Sequence, residues 1–141
     1  MSGTSEKKGQ CLCGEVRITA PEAGDKVGAC HCKMCRRWGG GPYMEITCGA
    51  DVVIDGAENV SVFDSSKWAE RGFCKLCGTH LFYRLKGTGQ HMIPVGFFDD
   101  SDDLVLDHEV FIDEKPAFYS FAEKTEQMPG AELFAKFAPP D

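Results

Sequence analysis

The amino-acid sequence predicts an all-β domain of short antiparallel strands with minor helix. Seven apolar runs, each short and rich in β-branched and aromatic residues, are the first observation behind this. The second is that Gly, Pro, Asp and Asn fall between those runs, where turns need them. The third is the cysteine pattern: seven of eight thiols crowd into three motifs, CLC at 11–13, CHCKMC at 30–35 and CKLCG at 74–78, which can tie distant parts of the chain together.

In chain order the expected strands are EVRITA at 15–20, YMEIT at 43–47, DVVI at 51–54, NVSVF at 59–63, THLFYRL at 79–85, HMIPVGF at 91–97 and HEVFI at 108–112. KPAFYSFAEK at 115–124 offers at most a helical turn, because Pro116 and its aromatic residues oppose a helix, whereas GAELFAKF at 130–137 suits a short helix that Pro139 and Pro140 end. The polar residues 1–9 are expected to be a flexible segment and residues 10–138 a single domain, with no internal repeat and no linker.

A length of 141 residues supports one core, and 43% apolar with 26% charged residues is the balance of an ordinary globular chain. No apolar run approaches the ~20 residues of a bilayer span, and MSGTSEKKG lacks the apolar stretch of a secretory signal, so a cytoplasmic protein is expected. The net charge of −7, with DDSDD at 99–103, opposes binding to nucleic acid or to anionic lipid. Lys33, Arg36 and Arg37, beside a cysteine cluster, are the local exception.

The cysteines are read as metal ligands. Disulfides belong to oxidising compartments, and bridges between such close neighbours would close tiny strained rings. A tetrahedral zinc with Zn–S bonds of about 2.3 Å needs its sulfurs about 3.8 Å apart, so its ligands arrive in close pairs. A CxC pair on an extended segment places both side chains on one face. A CxxCG pair does so on a tight turn, where Gly78 can take a positive φ. Cys11 and Cys13 with Cys74 and Cys77 thus make a four-thiolate staple across about sixty residues. Cys30, Cys32 and Cys35 form a second group of three. Either its fourth position stays open, as in catalytic zinc sites, or His31, His80 or an acidic side chain closes it as a structural site. His31 lies between two ligands of a CxC segment and should face away from the metal. Thiolate sites also accept iron. Cys48 stands alone and is expected to be a small buried hydrophobe.

CLCGEVRI, CHCKMCRRWGG, RGFCKLCGTHLFY and VGFFDD, in this order over about residues 10–119, resemble the glutathione-dependent formaldehyde-activating enzymes, a family that also includes centromere protein V. The resemblance implies a zinc-stapled β-tent fold with two zinc sites, a structural one at Cys11, Cys13, Cys74 and Cys77 and a catalytic one at Cys30, Cys32 and Cys35. It further implies a carbon–sulfur lyase that joins glutathione, or another small thiol, to formaldehyde or a related small aldehyde. Two departures from the family pattern, Phe118 where Trp is common and the Gly39–Gly41 run after Trp38, leave the substrate open.

Within that implied reaction, Arg36 and Arg37, with Lys33, are candidates to grip the carboxylates of glutathione; alternatively they offset thiolate charge. Trp38 is an aromatic wall or a core residue of a glycine-rich hairpin. His31 and His80 are candidate proton donors or simply packed side chains, and Asp99 and Asp100 are turn residues or pocket residues. The alternatives are a zinc enzyme using another thiol or electrophile, and a non-catalytic zinc-scaffolded interaction module, which a fourth protein ligand on Cys30, Cys32 and Cys35 would favour.

Overall fold

Side chains alternate across the short strands, so each sheet has two distinct faces, and the computed structural model, which describes residues 3–137, uses the two faces of its large sheet for different purposes. The chain runs β1 (Thr4–Gln10), β2 (Arg17–Gly24), β3 (Lys26–Cys30), α1 (Lys33–Gly39), β4 (Tyr43–Thr47), β5 (Val53–Asp55), β6 (Val60–Phe63), β7 (Ala69–Cys74), β8 (His80–Leu85), β9 (His91–Pro94), β10 (Val105–Val110), β11 (Glu126–Met128) and α2 (Gly130–Phe137). A small sheet has the order β1-β2-β5, and a large one the order β11-β10-β3-β4-β9-β8-β7-β6. Val16, Ile18 and Ala20 from the small sheet's side pack with Val27, Ile46, Phe82 and Ile93 from one face of the large sheet. Residues of the opposite face, among them Cys30, Tyr43, Glu45, Tyr83 and Met92, line a cavity with residues of α1 and α2.

The all-β class holds, with two helices, but several elements differ from expectation. β10 runs parallel to both of its neighbours, β3 and β11. Its partners lie far from it in sequence, so no tight hairpin dictates an antiparallel register. Residues 4–9, within the segment 1–9 expected to be flexible, form most of β1 instead, paired with β2. The buried positions of this strand are Lys7 and Gly9 rather than apolar residues. Lys7 Nζ reaches Asp103 Oδ1 at 2.8 Å and the Asp100 carbonyl at 3.0 Å, and a Cβ on Gly9 would fall 2.1 Å from the Phe97 carbonyl oxygen. The strand expected at 91–97 stops at Pro94 and becomes a 3-10 turn over Val95–Phe97, since proline gives the sheet no donor. No helical turn forms over 115–124; the nearest is the 3-10 turn Ile112–Glu114. α2 matches the expected helix. The Gly39–Gly41 run does not make a hairpin. It ends α1, with Gly40 at φ 89 as its left-handed cap, donating its N–H to the Arg36 carbonyl.

β7 tolerates no side chain at Gly72, where a Cβ would lie 2.3 Å from Phe82 Cζ. The Phe82 ring cannot yield easily, being 2% exposed and held between His91 and the Arg84 guanidinium. Gly72→Ala is therefore expected to destabilise the fold by about 1–3 kcal/mol, read as a lower urea midpoint. Gly87→Ala, with nothing near the added methyl, should shift it little.

Candidate functional site

Two turns, each closed by a left-handed glycine, build the four-sulfur cluster. After Cys11 the chain turns through Gly14 at φ 82, which donates to the Cys11 carbonyl at 3.0 Å; after Cys74 it turns through Gly78, also at φ 82, which donates to the Cys74 carbonyl at 2.7 Å. Cys11, Cys13, Cys74 and Cys77 come together with all four sulfurs within 4.8 Å of one another. The Cys11–Cys13 and Cys13–Cys74 sulfur separations are 3.6 and 3.8 Å. These exceed a disulfide bond of about 2.05 Å and match the edge of a tetrahedral thiolate site. Thr79 joins the two turns: its hydroxyl accepts the Leu12 N–H at 3.0 Å and lies 3.2 Å from Cys77 Sγ. That hydroxyl, followed by the Thr79 N–H, holds the Cys77 thiol down to about 5.

The three-sulfur cluster sits where β3 gives way to α1. Cys30 ends the strand, Cys32 caps the helix by accepting the Cys35 N–H at 3.3 Å, and Cys35 lies in the first turn. The three sulfurs are within 4.8 Å of one another, and among the described residues no fourth Cys, His, Asp or Glu joins them. His31 faces away, as the CxC alternation requires. It is buried, with Nδ1 2.6 Å from the Tyr119 hydroxyl and Nε2 2.8 Å from Glu109 Oε1. Hydrogen bonding with Cys30 and then Cys35 holds the Cys32 thiol well below the ordinary thiol range, and the same contact pushes Cys30 up. Both donor sets are sulfur-only, closely spaced and unbridged, and so fit a thiolate-binding metal ion.

Beside this cluster stands a cation that the sequence analysis passed over. Arg71 on β7 is 3% exposed; its Nη2 is 3.5 Å from Cys35 Sγ, its guanidinium carbon lies 4.9 Å from the Tyr83 ring centre, and its Nη1 has no hydrogen-bond partner. Arg71, Cys30, Cys32 and Cys35 all line one cavity of about 720 Å³, whereas no sulfur of the four-sulfur cluster does. Glu45 on β4 lines it too. Its Oε2 is buried without a partner, and desolvation pushes the carboxyl up to about 7 against the opposing charge of His108. The register sets Glu45 opposite Gly28 on β3, with His108 on the far side of Gly28 on β10. Gly28 leaves room for the imidazole, since a Cβ there would lie 2.1 Å from His108 Nε2.

The remaining candidates are placed differently. Arg36 and Arg37 are on α1 outside the cavity wall, Arg36 donating from Nε to the His31 carbonyl at 2.9 Å, while Lys33 does line the cavity. Trp38 stacks on His80 with ring centres 4.8 Å apart, and neither lines the cavity. Asp99 and Asp100 are exposed turn residues, Cys48 is buried, and Phe118 is 85% exposed. Sequence reasoning missed Arg71, Glu45, Tyr83 and His108. Strand alternation was an available signal for Glu45, which falls with Tyr43 and Thr47 on the less apolar face of β4; Arg71, Tyr83 and His108 alternate with apolar residues and carried no such signal.

A family model described as glutathione-dependent formaldehyde-activating enzyme matches residues 6–114. An uncharacterized lyase of Schizosaccharomyces pombe is 37% identical over 121 residues, covering 85% of this chain and 88% of the relative. A crystal structure of a Rhodobacter sphaeroides protein aligns with a TM-score of 0.55 at 25% identity, over 70% of this chain and 98% of its own.

The two clusters should differ in what they support. Cys74 is fully buried in the core that joins the two sheets, so Cys74→Ser should abolish cooperative thermal unfolding. Cys32→Ser changes only the start of a short helix and should retain most of the β signal in circular dichroism. Equal loss of structure in both would make the three-sulfur cluster structural as well.

Proposed function

The chain belongs to the glutathione-dependent formaldehyde-activating enzyme family, and we propose from this that it is a carbon–sulfur lyase that joins a thiol to a small aldehyde and splits the adduct, glutathione and formaldehyde being the pair the family name supplies. One observation carries the proposal: the three-sulfur cluster opens onto a cavity and the four-sulfur cluster does not. A purely scaffolding role would leave that cavity without a purpose. The unbridged thiols suit a reducing compartment such as the cytoplasm.

In this reading Cys11, Cys13, Cys74 and Cys77 would hold a structural zinc, and Cys30, Cys32 and Cys35 a second one. Zinc bound by the three sulfurs would keep an added thiol deprotonated at neutral pH. The chain's own residues handle the rest. As the carbon–sulfur bond forms, the carbonyl π pair moves to oxygen, and the buried Arg71 guanidinium, with its unpartnered Nη1, offers that oxygen a charged donor. Glu45, kept protonated up to about 7, gives its proton to the same oxygen to complete the hydroxyl, and recovers one from solvent, which received the proton of the thiol. In the splitting direction the Glu45 carboxylate accepts the hydroxyl proton as the carbon–sulfur bond breaks. Lys33 in the wall, with Arg36 and Arg37 outside it, would meet the carboxylates of a peptide thiol.

Metal analysis of the purified protein should give about two zinc per chain, falling to about one in Cys32→Ser with loss of thiol–aldehyde exchange. One zinc or none in the unmodified chain would remove the basis of this scheme.

Glu45 makes a pH prediction. Its acid form works in the joining direction, so that rate should fall as pH rises through about 7, and Glu45→Gln should lose most of the rate and the inflection. Stability checks the same shift: a carboxyl whose folded pKa is raised destabilises the fold as pH climbs from its unfolded value through the folded one. Glu45→Gln should therefore melt higher than the parent near about pH 8 and no higher near about pH 4.

A further inference from the structure

Formaldehyde is little larger than a water molecule, whose share of liquid volume is about 30 Å³, whereas the cavity beside the sulfurs holds about 720 Å³. Charge does not account for the surplus. The buried charged groups of the wall are Arg71 on β7 and Glu109 on β10, with half-buried Tyr43 and Glu45 on β4; Glu109 is already engaged by His31, Thr125 and Gln127, and Tyr43 donates its hydroxyl to the Met92 carbonyl at 2.6 Å. The exposed charged lining residues Lys33, Lys136 and Glu126 mark where the cavity meets solvent. Between these poles the wall is apolar, supplied by Leu85, Met92, Val110, Met128 and Leu133. An aromatic ledge closes it: Phe134 of α2 meets Trp68 and Phe111 edge-on, with ring centres 5.4 and 5.6 Å apart.

Resting on the lyase reading, we propose that the electrophile of this site is an aldehyde carrying a medium-length alkyl or aryl group, which lies along the apolar wall while the reacting carbon stays at Cys30, Cys32, Cys35, Arg71 and Glu45. A one-carbon aldehyde would leave the wall in contact with water, and the zwitterionic body of a peptide thiol would have to give up its hydration there without replacement partners. An apolar chain gains on both counts, because each methylene buried is favourable and the flexible methionines of the wall adapt to its shape. The charged part of the thiol then belongs at the mouth with Lys33 and Lys136. The adduct spans both regions, its sulfur at the three-cysteine cluster.

Unreactive thioethers mimic that adduct and separate this proposal from the lyase reading. Two series, S-alkylglutathiones and S-alkylcysteines from methyl to hexyl, are titrated into the zinc-loaded protein and followed by calorimetry. Affinity in at least one series should rise about threefold to fourfold per added methylene, equivalent to about 0.8 kcal/mol. A flat or falling trend in both series overturns the proposal. Leu85→Trp, which fills part of the wall, should cost the hexyl compound about tenfold and the methyl compound much less; equal losses, with circular dichroism unchanged, overturn it as well. Thiol exchange with formaldehyde and with hexanal, followed by NMR, decides the lyase reading separately: no exchange with either aldehyde rejects that reading, whatever the thioethers do.

Discussion

Sulfur atoms brought within 4.8 Å of one another, yet not bonded, are the constraint on which the rest of this structure depends. Thiolates at that spacing repel one another unless positive charge stands among them, and a buried site in low dielectric magnifies the repulsion. The chain answers in two ways. At the four-sulfur cluster it supplies hydrogen-bond donors, the Val16 N–H to Cys11 and the Thr79 hydroxyl beside Cys77, with Cys13 left exposed to water. At the three-sulfur cluster it supplies a whole buried cation, Arg71. The difference follows from location, since the first cluster lies at the surface end of two turns and the second in the wall of a cavity.

The cavity exists because the large sheet has two occupied faces. On β4, Met44 and Ile46 pack with the core while Tyr43, Glu45 and Thr47 alternate toward the cavity; on β9, Ile93 does the first and Met92 the second. A strand that reads as half apolar and half polar normally places its polar side in water. Here that side faces α1, α2 and the segment ahead of β11 across the cavity, so groups such as Glu45 are desolvated. Elevation of the Glu45 carboxyl to about 7 is the physical cost of that desolvation.

The cysteine motifs were legible in the sequence because their spacing fits the close approach of sulfurs that a metal site needs, and the apolar strands because burial dictates their alternation. β1, β3 and β7 were not legible, for a common reason. Their buried positions include Lys7 and Gly9 in β1, Gly28 between Val27 and Ala29 in β3, and Arg71 and Gly72 in β7, and these charged and glycine residues interrupt the apolar pattern by which a strand is read. α1 was hidden because its cap and first turn carry the clustered cysteines, so Cys32 stands where Ser, Thr, Asp or Asn would have announced a helix. Arg71 lies three residues before Cys74, inside a motif already assigned to the other cluster, yet its side chain reaches Cys35.

His31 links the two aspects of the site. It sits between Cys30 and Cys32, so whatever fixes its ring also fixes the strand end from which both sulfurs project. Glu109 on β10 and Tyr119 in the irregular segment hold that ring from opposite nitrogens. Glu109 in turn takes hydrogen bonds from Thr125 and Gln127, at the start of and within β11, the strand that delivers Met128 to the cavity wall. The sulfur cluster, the parallel strand pair and the far wall are thereby joined through one buried imidazole and one buried carboxylate. Registration of the sulfur end of the cavity against its apolar end thus rests on the polar contacts of His31 and Glu109, whose partners Tyr119, Thr125 and Gln127 lie outside the cysteine motifs that make the site recognisable.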